Sequence, residues 1–406
     1  MTHPKPTPAR RGPVAAGERA LAPDLARGMM LLLIAVANTP WFLYGQTPGL
    51  SSVHPADGSG LDRAVQAVIM VAVDGRIYPL FAFLFGYGIV QLYRRQISAG
   101  VQDRDARRLL RRRHLWLIAF GFVHAALLWV GDIVGAYGLV GLILVAIFFR
   151  RANKTLLVWA VILTGVLSTA TLLALISLPF VPAGEFETVN FLDQMTAINA
   201  ESNYLAAALM RLAAWPLQAV GQGLLSLVVP VMLLLAFWAA RHQILENPGQ
   251  NLPLLRRTAV LGLTVAFLGA IPHATYHLGV LQMGDHLSWI FNLTTSVSGL
   301  FGGLGYVALF ALIAHRIQGR PMAQQPLVVT VGAVGKRSLS NYLGQSVLFA
   351  PLLAAWGLGL GSSLNSAATA LIAIAGWLVL ALGSYWCELR QMRGPAEAAL
   401  RRLVYR

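Results

Sequence analysis

Residues 155–180 read T-L-L-V-W-A-V-I-L-T-G-V-L-S-T-A-T-L-L-A-L-I-S-L-P-F, a run without a single ionisable side chain. A bilayer core takes roughly 20 such residues as one α-helix, and a helix satisfies its own backbone hydrogen bonds where no water can. Working outward, further apolar stretches fall at about 28–45, 64–93, 115–130, 134–149, 217–240, 258–280, 288–314, 339–357 and 367–389. The expected fold class is all-α: a polytopic membrane bundle of about ten transmembrane helices. Composition agrees. The 406 residues are 57% hydrophobic and only 12% charged, about half the charge of a soluble domain. That excludes an ordinary cytosolic enzyme and a disordered tail protein.

The chain carries 31 Lys+Arg against 16 Asp+Glu, a net charge of +15. In a soluble protein this would suggest nucleic acid; here the positive-inside rule explains it. With the N-terminus inside, the segments 1–27, 94–114, 150–154, 241–257, 315–338 and 390–406 hold 28 of the 31 basic residues. The loops on the other side carry acids instead, among them Asp57, Asp62, Glu185, Glu187, Asp193, Glu201 and Asp285. Both termini are therefore expected to be cytoplasmic, with anionic headgroups and not nucleic acid facing the charge. The expected organisation is a basic cytoplasmic segment at 1–27, one transmembrane domain at 28–389 and a basic cytoplasmic tail at 390–406. The first 27 residues lack the apolar core of a signal peptide. Two outside segments are long, 46–62 and 181–206, with a short amphipathic helix expected near 204–215. The lone Cys387 excludes a disulfide framework and a Cys-based metal site.

Ionisable and amide side chains within spans are costly, so each is a site candidate. Arg27 and Asn38 are eleven residues apart, which returns them to one helix face with a rise of roughly 16 Å. Asp74 and Arg76 sit in V-D-G-R-I-Y-P of the second span. Residues two apart do not face each other on a helix, so either Gly75 and Pro79 break the helix or each charge pairs with another span. Gly86 and Gly88 follow where close helix approach is expected. His124 lies in mid-span and Asp132 in the turn beyond it; eight helical residues would separate them by about 12 Å, so they form no evident dyad. Asp132 is expected to cap the next helix. His54 stands alone in the first outside loop. His273 and His277 are at i,i+4, but no carboxylate completes an H-E-x-x-H pattern, and no metal is expected. Lys336 and Arg337 open a stripe formed by Ser338, Asn341 and Gln345, which either glues helices or lines a polar cavity. The basic segment at 94–113 either locks topology or holds the phosphates of an anionic cofactor.

The stretches D-G-R-I-Y-P-L-F-A-F-L-F-G-Y-G, G-F-V-H-A-A-L-L-W-V-G-D-I-V-G-A-Y-G-L-V-G-L, V-G-K-R-S-L-S-N-Y-L-G-Q-S and R-G-P-A-E-A-A-L-R-R-L together resemble the YeiB-like family of bacterial membrane proteins, domain-of-unknown-function family 418. The family-type domain would occupy about 230–403. A more distant likeness is to the transmembrane acyltransferases. Arg27-Gly28 with a polar residue eleven on looks like their opening, that residue being His in the acyltransferase-3 group and Asn, as Asn38 is here, in the heparan-glucosaminide N-acetyltransferase group. In the latter the catalytic His lies in the following loop, where His54 is the only His, though it stands farther from Asn38 than in that group.

That resemblance implies acetyl transfer from cytoplasmic acyl-CoA to an extracytoplasmic glycan, lipid or small molecule. The expected catalytic residues are His54, Asn38 and His124. Arg27, Lys336, Arg337 and Asn341 would hold the cofactor, and Asp74, Arg76, Asp132 and Gln345 would be intramembrane polar groups. Membrane lipids and an unidentified acceptor are the expected partners, a homodimer is allowed, and the expected location is the bacterial cytoplasmic membrane. The competing reading is a transporter or export accessory with a gate at Asp74, Arg76 and His124.

Overall fold

The computed structural model describes residues 20–182 and 191–405; Glu185, Glu187 and most of the segment 1–27 lie outside the described residues. The first strongly apolar run becomes α1 (Leu21–Asn38). It leads through a short turn into a hairpin of β1 (Pro48–Gly49) and β2 (Ser52–Pro55). Next come α2 (Gly60–Ala72), started by a capping box between Ser59 and Asp62, and α3 (Ile77–Ser98). Then follow α4 (Asp103–Leu127), α5 (Ile133–Phe148) and α6 (Asn153–Ser177). Beyond the undescribed loop are α7 (Phe191–Ala200), α8 (Tyr204–Val220) and α9 (Val228–Arg241). The last six are α10 (Leu252–His277), α11 (Ile290–Ile317), α12 (Pro326–Lys336), α13 (Ser338–Leu353), α14 (Ser366–Leu389) and α15 (Pro395–Tyr405).

The all-α membrane architecture stands. Among the described residues, six helical stretches are long and apolar enough to cross a bilayer: Leu21–Phe42, Gly60–Ser98, Asn153–Phe180, Pro248–His277, Asp285–Ile317 and Ser366–Leu389. The pair Tyr204–Leu225 and Val228–Arg241, bent by 52°, makes a seventh if it is one span. All ten apolar stretches fall on helices, but not all ten meet that test. The 16 residues of α5 rise only about 24 Å, and α4 opens with charge, including Asp103 and Asp105.

Helix α9 is apolar all round and lies at the centre, with Val228 through Leu234 inaccessible apart from Pro230; such a helix belongs inside a bundle. Gly86 brings α3 onto it, since a Cβ there would lie 3.0 Å from Ala236 Cβ. The second apolar stretch is broken, not continuous. Gly75 takes φ +74°, and Gly299 of α11 packs against the Gly75 carbonyl so closely that a Cβ would fall 2.1 Å from its oxygen. The break therefore sits in a groove that only glycines on α11 leave open.

Candidate functional site

The site is assembled at two ends of the bundle. At the end where basic residues gather, α1, α3, α4, α13 and α15 enclose a cavity of about 820 Å³, within the size range of ligand pockets. Arg27, Arg94, Arg95, Arg113, Lys336 and Arg401 line it, against Asp24, Glu246 and Glu397. Its inner wall is apolar and aromatic, with Met30, Phe81, Tyr137 and Tyr342. Arg27 reaches the Leu84 carbonyl at 3.2 Å and Asp24 at 3.4 Å. Arg113 lies over the Phe85 ring, 5.7 Å from its centroid, and its Nη1 is buried without a hydrogen-bond partner. A guanidinium so placed, with four other arginines on the same cavity, is suited to an anionic ligand.

The other predicted cofactor residues are placed differently. Lys336 lines the cavity but bonds Glu388 at 2.6 Å. Arg337 is buried, bonds the same Glu388 at 2.8 Å and donates to the Met392 and Ala333 carbonyls. Asn341 donates to the Val334 and Arg337 carbonyls and Ser384 Oγ, and Gln345 to the Leu31 carbonyl at 2.7 Å. Asn341 and Gln345 thus work as helix-to-helix adhesive, while Ser338 lines the cavity. Glu397 and Tyr405 of the tail, neither of them among the expected site residues, form part of the cavity wall. Glu397 takes the backbone N–H of Leu339 at 2.8 Å and bonds the Ser340 hydroxyl.

At the opposite end the hairpin folds into the bundle and places His54, fully buried, on the break between α2 and α3. His54 Nε2 meets Asp74 Oδ2 at 2.8 Å, with the Asp74 side chain 25% exposed. With Asp74 as acceptor, Nε2 carries the proton and Nδ1 presents a lone pair; Nδ1 is buried and unpartnered. Arg76 turns away from the Asp74 carboxylate. Its guanidinium donates to the carbonyls of Met70 at 3.2 Å, of Ala266 at 2.7 Å, and of Asp74. The break frees carbonyls and the arginine satisfies them, which is how a charge persists at depth. His277 approaches the His54 ring at 6.1 Å and shares a hydrogen bond with Gln66 at 3.2 Å, while His273 bonds Ser51 at 3.1 Å. No group of three or more metal-ligating side chains gathers among the described residues. Asn38 ends α1 at this same end, outside the basic cavity, with the buried Ile34 and Ala35 packed between it and Met30 along the helix.

One expectation is corrected. His124 and Asp132 do meet: Nδ1 lies 2.8 Å from Oδ1. The helix does not continue between them. It ends at Leu127, the chain reverses through Trp129–Gly131, and Asp132 folds back as the cap of α5, accepting from Val134 N at 3.2 Å and Gly135 N at 2.6 Å. The pair is buried on both sides.

Residues 239–406 match the family model described as "Protein of unknown function (DUF418)". The chain is similar to YxaH of Bacillus subtilis (strain 168), 27% identical over 97% of this chain and 96% of that protein. It is similar to YeiB of Escherichia coli (strain K12), 26% identical over 96% and 97%. A 39.9 kDa protein from Bacillus acidopullulyticus is 31% identical over 37% of this chain and 40% of its own. No solved structure matches. The DUF418 match over residues 239–406 and two relatives that align end to end support a YeiB-like DUF418 family for this chain.

Proposed function

We propose that the protein is a membrane acyltransferase that takes an acyl group, acetyl in the simplest case, from acyl-CoA and places it on a hydroxyl at the far end of the bundle. The observation that carries this reading is the basic cavity: a cluster of arginines at one end, one of them with an unpartnered buried Nη1, opening onto an aromatic inner wall. Coenzyme A has that polarity, with phosphates at one end and a slender, weakly polar arm at the other. By the positive-inside rule the cavity faces the cytoplasm, where acyl-CoA is made, and the His54 end faces outward in a ten-span arrangement. Arg27, Arg94, Arg95 and Arg113 would hold the phosphates. His54, oriented by Asp74, would take the acceptor's hydroxyl proton on Nδ1, and Asn38 would donate a hydrogen bond to the developing oxyanion.

A transporter is the second reading, favoured by the broken helix at Asp74–Arg76, since discontinuous helices mark binding sites in transporters. Purified protein in lipid nanodiscs separates the two. Acyl transfer expects saturable binding of coenzyme A and transfer of label from acetyl-CoA without a proton gradient. Absence of coenzyme A binding by the wild-type protein rejects the acyltransferase.

A further inference from the structure

Three buried histidines, His54, His114 and His124, each present an unpartnered nitrogen, and the reading above uses only that of His54. His124 donates Nδ1–H to Asp132, whose carboxylate is fully buried and held by the backbone N–H groups of Val134 and Gly135. An aspartate so saturated with donors stays an acceptor. It fixes His124 in the tautomer whose Nε2 is a bare lone pair, and that Nε2 is buried with no donor in reach. A helix clamp would account for Nδ1 and Asp132 but not for a buried, bare lone pair on the other nitrogen, which costs stability when left unmatched.

Its position gives the lone pair a use. His124 packs edge-on against the Tyr342 ring, with centroids 5.4 Å apart, and Tyr342 and Val134 both line the basic cavity. Arg113, Leu117 and His124 occupy one stripe of α4, the first two in the cavity wall. Eleven residues separate Arg113 from His124, roughly 16 Å of helix. The arginine thus stands at the phosphate end and the histidine one side chain behind the inner end, about where an extended pantetheine arm would deliver its thioester.

The geometry points to His124 as the first acyl acceptor of the reaction, an inference that rests on the acyltransferase reading. The Nε2 lone pair attacks the thioester carbonyl carbon. A C–N bond forms, the C–S bond breaks, and coenzyme A leaves as the thiolate. The ring becomes an acyl-imidazolium whose charge faces Asp132. The acceptor hydroxyl then attacks the same carbonyl and the C–N bond breaks. The hydroxyl proton passes to His54 Nδ1 and on to water, while the thiolate takes a proton from water at the basic mouth. The sum is thioester plus alcohol giving ester plus thiol.

The test uses full-length protein in nanodiscs with labelled acetyl-CoA and no acceptor, rapidly quenched, with protein-bound label released by hydroxylamine and mapped to peptides. The wild-type protein is expected to carry label on the peptide containing His124. His54→Ala should keep that label, whereas His124→Ala and the donor-preserving His124→Asn should lose at least about a hundredfold of it, with coenzyme A binding retained. Label on His124→Ala, or a wild-type protein that binds coenzyme A with label absent from that peptide, overturns the role of His124 and leaves the acyltransferase intact. A wild-type protein that binds no coenzyme A overturns both. If the two variants lose coenzyme A binding through misfolding, the site of label on the wild-type protein decides.

Discussion

Gly121→Ala probes the joint that makes the His124–Asp132 pair. A Cβ at this position would lie 2.2 Å from Asp132 Oδ2 and 2.2 Å from Gly135 N, where ordinary contact begins at 3.4 Å. The shortfall is 3.4 minus 2.2, or 1.2 Å, and no flexible side-chain tip can absorb it, because the Gly135 backbone is one of the two obstacles. Helices α4 and α5 must separate. Overpacking of this kind costs about 1–3 kcal/mol, and stretching the Gly135 N–H bond to a carboxylate adds on the order of 1 kcal/mol. The better helix propensity of alanine returns about 0.5–1 kcal/mol. The control is Gly165→Ala on α6, where a Cβ meets nothing within 4 Å, so only the propensity gain applies. The two variants should differ by about 2–4 kcal/mol, read as the gap in midpoint of SDS-induced unfolding from bicelles. If Gly121→Ala unfolds no earlier than Gly165→Ala, the close approach of α4 and α5, and with it the geometry of the pair, is wrong.

Removing Asp74 leaves the buried His54 without its acceptor, so Asp74→Ala should destabilise more than Asp74→Asn, and the double variant Asp74→Ala, His54→Ala less than the sum of its singles; additivity in the same unfolding titration would refute the pairing. Arg113→Ala should weaken coenzyme A binding at least about tenfold and lower its salt dependence while leaving the unfolding midpoint near wild type, as equilibrium titration in nanodiscs would show. In a Cys387→Ser background, a cysteine at Arg104 should resist membrane-impermeant thiol reagent applied to intact cells and one at Gln282 should react; the reverse pattern rejects the proposed orientation.

The sequence displayed its apolar spans openly, because a side chain's lipid preference is a property of that residue alone. Residues that pair across the fold were hidden in proportion to how far the chain travels to join them. Asp132 was legible as a cap of α5, a local feature, but not as the partner of His124, because that depends on where α4 stops. His54 was singled out by its loop position, yet its contact with Asp74 requires a hairpin to fold inward, and S-S-V-H-P-A-D-G carries no periodicity that says so. Lys336 and Arg337 read as a cationic mouth because Glu388, which binds both, lies half a hundred residues away. Helix α12 falls within the segment 315–338 read as a cytoplasmic loop: its 11 residues are too short to announce a span.

The cavity wall joins the beginning of the described chain to its end: Arg27 and Met30 on one side, Leu400, Arg401 and Tyr405 on another. Its first helix docks onto a segment far downstream through a glycine on each side, with Gly335 against the Asp24 carbonyl and Gly28 against that of Val331. A ribosome adding about 5–20 residues per second therefore holds α1 in the membrane for tens of seconds before α12 exists to cover it. During that interval Arg27 has Asp24 and, once α3 is made, the Leu84 carbonyl as partners, but the cavity has no floor. The cavity is thus completed late in biogenesis, once α15 leaves the ribosome. The spans that precede α15 assemble before this wall exists to close it.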